Sequence, residues 1–104
     1  MQNFKIDIAP EAFAEIQAYY EHIKKDSEQH AAKWLRQLYQ KAYALQTMPD
    51  RHGTIRENDA FEDEVHQALH YSHRIIYTID YDISVVKIHT VRSAWMDELQ
   101  GDEF

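Results

Sequence analysis

Cysteine is missing from the 104-residue chain. Its absence removes disulfide stapling and thiolate chemistry together, and it fits a reducing compartment. Glycine and proline occur only twice each, and the chain shows no internal repeat, linker or low-complexity tract. No apolar run approaches the roughly 18 residues that a spanning helix needs. The start, MQNFKIDIAP, has no apolar core of a signal peptide. A cytoplasmic protein with no membrane partner is the expectation. A basic excess is also lacking: the formal charge is −7. Nucleic-acid binders draw most of their affinity from phosphate contacts and carry a basic field. Part of the acid is clustered at Glu62-Asp63-Glu64, Asp97-Glu98 and Asp102-Glu103. These clusters read as solvated surface that favours solubility, beside which a local basic site can survive.

What the chain does have is 44% apolar residues, 12% of all residues being aromatic. That is ample for folding and argues against disorder. The length fits one domain over residues 1–104 with a core of moderate size.

Phe4, Ile6 and Ile8 alternate with Lys5 and Asp7, the period of a half-buried strand. Pro10 suits a first helical position, where its missing N–H costs nothing. Phe13, Ile16, Tyr20 and Ile23 then recur at helical spacing, predicting a helix from about Pro10 to Lys24. Lys24 and Lys25 complement its C-terminal dipole. Asp26 or Ser27 can cap a second helix. Its apolar face is Ala31, Trp34, Leu35, Leu38, Ala42, Leu45 and Met48, and Pro49 ends it. The short link makes the two helices an antiparallel hairpin. A polar loop over 50–59 carries Arg51, His52 and Arg56.

Three strands follow. In the first, Val65, Gln67 and Leu69 alternate with His66, Ala68 and His70, and Tyr71-Ser72 forms a turn. In the second, Ile75, Tyr77 and Ile79 face one way, and Ile76 and Thr78 the other, before a turn at Asp80-Tyr81-Asp82. The stretch from Ser84 to Arg92 is apolar at both parities through Val85, Val86, Ile88 and Val91, which predicts a central strand. Trp95 anchors a short terminal segment, and 101–104 is expected to fray. The order β-α-α-β-β-β implies an α+β fold. The helical hairpin packs on a small mixed or antiparallel four-stranded sheet, the N-terminal strand pairs with one of the later three, and the second sheet face is only partly covered.

Three stretches together resemble the RelE/ParE superfamily of type II toxin–antitoxin toxins, over about Phe4 to Trp95. Ile8-Ala9-Pro10-Glu11-Ala12 is similar to its strand-to-helix junction. Trp34-Leu35 through Leu45, then Met48-Pro49-Asp50, is similar to its second helix and the proline-ended exit. Arg74-Ile75-Ile76-Tyr77-Thr78-Ile79-Asp80 and Val85-Val86-Lys87-Ile88-His89-Thr90-Val91-Arg92 are similar to its paired C-terminal strands. The resemblance implies one of two activities: ribosome-dependent mRNA cleavage, or, in the ParE-like branch, poisoning of DNA gyrase without nuclease chemistry. Some members show no toxicity. It also implies a cognate antitoxin that wraps the toxin, with no direct DNA binding expected in the antitoxin's absence.

RNA cleavage through a 2′-hydroxyl needs a base, cations on the phosphate and an acid for the leaving oxygen. Arg74 looks like the family's strand arginine. The preceding strand reads Val65-His66-Gln67 where cutters often place lysines, an aspartate follows Met96, and no tyrosine follows Trp95. The nuclease set is therefore incomplete, which favours the ParE-like branch. If the chain is a nuclease, Arg74, Arg92, His66, His73 and His89 are its candidate catalytic residues, since histidine serves as acid or base near neutral pH. His70 belongs to the same group of histidines. The alternative is that these histidines are surface or hydrogen-bonded side chains. Arg74 is read either as a functional cation or as a structural one, paired with a carboxylate such as Asp80 or Glu64; Arg92 is similar. Arg51, His52, Arg56, Arg74, Arg92 and Trp95 are the candidate contacts for target or antitoxin, against a reading as solvated loop residues or, for Trp95, packing. Tyr77 and Trp34 read as core. No cofactor is expected, and no metal: His66 and His70 share a strand face but stand about 13 Å apart, too far to ligate one ion.

Overall fold

The computed structural model describes residues 3–57 and 64–94. Its elements are β1 (Lys5–Ile8), α1 (Pro10–Lys24), α2 (Glu28–Tyr43), two 3-10 turns (Ala44–Gln46 and Pro49–Arg51), β2 (His66–His70), β3 (His73–Asp80) and β4 (Val85–Ser93). The sheet order is β1-β4-β3-β2. β1 runs parallel to β4, and the other pairs are antiparallel. The expected α+β architecture is thus present: a helical hairpin on a mixed four-stranded sheet, with β4 as the strand that β1 joins.

Local chemistry sets the helix ends. Pro10 opens α1, and His22 and Lys24 occupy its last turn. Ser27 caps α2, its hydroxyl oxygen accepting from His30 N–H at 3.2 Å. α2 buries Ala31, Trp34, Leu38 and Ala42, and Leu45 continues that stripe into the first 3-10 turn. α1 buries Ala12 and Ile16. Phe13 lies one position off that line and stays 46% exposed, its ring 6.4 Å from Tyr39 on α2. Met48 also departs from the expected face. It is 59% exposed and adopts a left-handed φ of 49°; Pro49 disfavours the right-handed helical region for the residue before it. The chain turns there instead of extending the helix.

The main core lies between helices and sheet. Ile16, Trp34, Leu38 and Leu45 meet Ala68, Ile75, Tyr77, Val86, Ile88 and Val91. Each fully buried aliphatic chain contributes about 1.5–3 kcal/mol. Tyr77 is buried to the same depth, and its hydroxyl donates to the Pro49 carbonyl. Burial raises the Tyr77 pKa.

β4 is apolar at both parities for a reason beyond its central position. Ile76 pairs with Thr90 and Tyr77 with Ile88, so His89 is an extra residue on β4. Such a bulge shifts the alternation by one. Val86 and Ile88 before it, and Val91 after it, therefore all face the helices. The opposite, outer face carries Gln67, Leu69, Arg74, Ile76, Thr78 and Arg92 by register. It is partly covered, as expected, and the cover is the 53–57 segment. Gln67 N–H donates to the Gly53 carbonyl at 3.1 Å and Ile55 N–H to the Val65 carbonyl at 2.8 Å, which adds an edge beside β2. Ile55, Val65 and Ile76 form a small second core there.

Candidate functional site

Arg74 sits on the outer face near the start of β3, with side-chain exposure of only 1%. Its Nη2 donates to Glu57 Oε1 at 2.6 Å and its Nη1 to Glu57 Oε2 at 2.9 Å. Its Nε donates to Gln67 Oε1 at 2.8 Å. This is the bidentate fork geometry in which a guanidinium holds a carboxylate most strongly. The partner is Glu57, from the loop, and not Asp80 or Glu64.

Arg92 stands directly opposite Arg74 in the β3–β4 register. A second carboxylate holds it. Beyond Ile8 no strand among the described residues lies beside this edge of β4, and Glu15 of α1 takes over: it accepts from Val91 N–H at 3.1 Å and from the Thr90 hydroxyl at 2.6 and 2.8 Å. Arg92 Nε lies 3.3 Å from Glu15 Oε2 and donates to Thr90 Oγ1 at 2.9 Å. Arg74 and Arg92 thus stand opposite each other on adjacent strands, and each guanidinium is met by a carboxylate delivered from outside the sheet.

The histidines divide between the two faces. His66, His70 and His73 share the helix-facing parity, because strand side chains alternate. His66 stacks on Tyr77 at 5.5 Å, and its Nδ1–H donates to the His52 carbonyl at 2.8 Å. His70 Nε2–H donates to the Trp34 carbonyl at 2.9 Å. His73 packs between Tyr19 and Trp34, with ring centroids 4.4 and 5.2 Å away, and its Nδ1 is buried. Burial lowers the pKa of His70 and of His73. Of the four strand histidines, all among the described residues, His89 is the one that shares the outer side with Arg74. It sits at the bulge with Nε2 2.8 Å from Thr78 Oγ1. Burial, aided by the Lys87 charge, brings its pKa down to about 4. The structure therefore brings Arg74 and Arg92 together, places His89 farther along the same face, and puts His66 and His73 on the other side of the sheet.

The loop candidates lie elsewhere. Arg51 is exposed, and its Nη2 donates to the Ala44 carbonyl at 2.9 Å. His52 is half-buried, and burial lowers its pKa. Arg56 keeps 54% of its side chain exposed and reaches the Ala94 carbonyl with Nη1 at 3.4 Å. Trp95 lies outside the described residues, as do the 101–104 terminus and most of the acidic clusters. Among the described residues, no group of three or more His, Asp or Glu is placed to hold a metal ion, and no helix is long and apolar enough to cross a membrane.

The family model described as the ParE toxin of the type II toxin–antitoxin system parDE matches residues 6–98. The chain belongs to the ParE toxin family. A chain of the chromosomal ParDE TA system from P. aeruginosa has the same fold at TM-score 0.71 and 13% identity, over 89% of this chain and 98% of that one. A chain of the RelBE2 toxin–antitoxin complex from Mycobacterium tuberculosis gives 0.64 at 19% identity, over 90% and 95%. A chain of the archaeal RelE–RelB complex from Pyrococcus horikoshii gives 0.59 at 14%, over 93% and 100%. At such identities these likenesses speak for the fold alone. No curated protein sequence matches the chain significantly.

The geometry of this ParE-family chain bears on what its outer face can do. An arginine assists phosphate chemistry when its fork is presented to the developing charge. Here the Arg74 fork is already on a carboxylate inside the protein. A general acid must hold a proton at working pH, and His89 is neutral there. Sequence reasoning did not single out Glu57 or Glu15. The one usable signal was the count of carboxylates near an arginine destined for a sheet interior, since a buried guanidinium demands a partner.

Proposed function

We propose that the chain is the toxin of a type II toxin–antitoxin module of the ParE-like kind. It arrests growth by binding a large protein target, with DNA gyrase the first candidate, and a cognate antitoxin neutralises it. The reading includes no catalytic activity of the chain's own. The observation that carries it is the state of the outer face. Both arginines that a nuclease would aim at RNA are held by Glu57 and Glu15, and two of the three candidate acid–base histidines lie on the opposite side of the sheet.

A second observation supports the antitoxin. Phe13, Tyr39 and Tyr43 run as an aromatic stripe across the outside of the helical hairpin, with ring centroids 6.4 and 6.5 Å apart. Phe13 and Tyr43 are about half exposed. Rows of exposed large apolar side chains mark surfaces that a partner covers, and an amphipathic partner helix fits such a stripe. Arg51, His52, Arg56 and, beyond the described residues, Trp95 are proposed to contribute contacts. Arg74 and Arg92 contribute by holding the face together.

The test is controlled expression in a bacterial host, with and without the antitoxin encoded beside it. Growth arrest with filamentation and stained DNA breaks, relieved by the antitoxin, is the expected result. Arrest without DNA damage and with cut mRNA moves the chain to the RelE-like endonuclease reading. Absence of arrest leaves a non-toxic binding module that kept the fold.

A further inference from the structure

We propose that the groove between α2 and the β2–β3 turn is a docking site for an acidic, amphipathic segment of a partner protein. The groove lies on the flank of α2 away from the Phe13, Tyr39 and Tyr43 stripe, and it takes in neither Arg74 nor Arg92.

Charge distribution is the first observation. The chain carries 18 Asp and Glu residues, yet 29–49 and 65–79 contain none. Those two stretches are α2 with the turns after it, and the β2–β3 hairpin. On α2, His30, Lys33, Gln37, Gln40 and Lys41 recur at the spacing of one helix flank. Glu28, the last acid before them, shares the line of Leu35 and Tyr39, the side that meets Phe13 of α1. Glu64 and Asp80 bound the hairpin at its far end, about 23 Å along β3 from the turn. Glu57 is taken by Arg74. Among the described residues, a chain of net charge −7 is thus locally positive here.

Shape is the second observation. Two adjoining hollows of about 380 and 540 Å³ lie along this flank, with Tyr71 lining both. Both volumes fall in the range of ligand sites, about 300–1,000 Å³. Ile23 and Trp34 give the first an apolar floor, and Gln37, Gln40 and Lys41 line the second. Tyr71 is 66% exposed, and its hydroxyl donates to Gln37 Oε1 at 2.7 Å. Its φ of 54° lies in the left-handed region, which a tyrosine adopts only against strain. Strained residues gather at functional surfaces. Lys41 Nζ donates to the Leu69 carbonyl at 2.5 Å and ties α2 to the edge of β2.

The number of cations decides the occupant. Two lysines are too few for a nucleic-acid backbone, where binding draws on about 6–10 phosphate contacts. They suit a peptide whose apolar side chains cover Ile23 and Trp34 while its carboxylates meet Lys33 and Lys41. An exposed tyrosine between them is a residue type that anchors such contacts.

The test is fluorescence anisotropy with a fluorescein-labelled peptide of four Glu-Leu-Glu repeats, and its Lys-Leu-Lys counterpart as control. Net charge alone predicts that the chain binds the lysine peptide and repels the glutamate one. The expected result is saturable binding of the glutamate peptide, weakened about tenfold or more by Lys33→Glu and by Tyr71→Gly. Lys5→Glu makes the same charge change on β1, outside the groove, and should weaken it less than about twofold. Lys33 is exposed, so Lys33→Glu carries the test if Tyr71→Gly fails to fold. No saturable binding up to about 1 mM, or binding that Lys33→Glu leaves unchanged, overturns the proposal. Ala94 N–H donates to the Ser72 carbonyl at 2.8 Å, so the chain's own acidic end leaves β4 beside the groove. A full-length variant with Asp97→Asn, Glu98→Gln, Asp102→Asn and Glu103→Gln tests that end as the occupant. Peptide binding tightened about tenfold in this variant overturns the assignment to a partner, and unchanged binding upholds it. Binding of a labelled single-stranded RNA that Lys33→Glu abolishes, with no binding of the peptide, overturns it in favour of a nucleic acid.

Discussion

Replacing Arg74 by methionine should be among the most damaging single changes in this fold. The guanidinium is 1% exposed and the Glu57 carboxylate 4%. Methionine keeps the length and apolar stem but removes every donor, so a carboxylate is left buried opposite a thioether. Breaking a buried pair from one side costs about 3–5 kcal/mol, against a total stability of roughly 5–15 kcal/mol for a domain. A loss of that size lowers Tm by about 15–30 °C in a chain of this length. The companion variant Arg74→Met/Glu57→Leu removes both desolvation penalties and should recover most of the loss, to within about 1 kcal/mol of wild type. The coupling between the sites, read from urea unfolding by circular dichroism in a phosphate-free buffer, should therefore exceed about 2 kcal/mol. A single-variant loss below about 1 kcal/mol, with additive behaviour in the double variant, is the signature of a solvent-screened pair and would refute the reasoning.

Stability should also fall with acid below neutrality. His89 is depressed to about 4 in the folded chain against an ordinary 6.5, so the unfolded state takes up the proton first. The stabilisation is complete above pH 6.5 and is lost as pH drops towards 4; at 1.36 kcal/mol per unit, discounted for partial exposure, it amounts to about 1–2 kcal/mol. Denaturant midpoints at pH 7 and 5 measure it, and His89→Gln should flatten the profile. Tyr77→Phe removes the hydroxyl that serves the Pro49 carbonyl and should cost about 1–3 kcal/mol by leaving that acceptor unpaired, seen as a lower urea midpoint with unchanged slope. Met48→Gly should leave stability unchanged or raise it by up to ~1 kcal/mol, because the left-handed φ of 49° no longer strains a side chain; a loss above that would mean the exposed methionine packs on something.

Periodicity made the frame readable and tertiary pairing did not. The α1 span, the Ser27 cap, the Tyr71-Ser72 turn and the inward set Ile75, Tyr77 and Ile79 all follow from local rules, and the structure has each of them. The both-sided apolarity of β4 was visible, but its cause was not. A bulge at His89 moves Val91 to the helix side, and no residue in the stretch announces it. The outer-face site was half legible. Arg74 and Arg92 stood out as cations in apolar strands. Their partners come from a loop 17 residues before Arg74 and from a helix 76 residues before Val91, a choice among many carboxylates that only the folded topology makes. The histidines looked able to converge because the sequence places them on adjoining strands. Strand alternation, once the register is fixed, sends His66 and His73 away from Arg74.

On the proposed reading, the described residues of this ParE-family chain hold no armed nuclease centre. The most direct measurement is 5′-end mapping of mRNA in a bacterial translation extract given the purified chain. The account predicts the same end profile with and without the protein. Codon-phased cuts that appear with wild type and vanish with Arg92→Ala, a variant shown to stay folded, would contradict it.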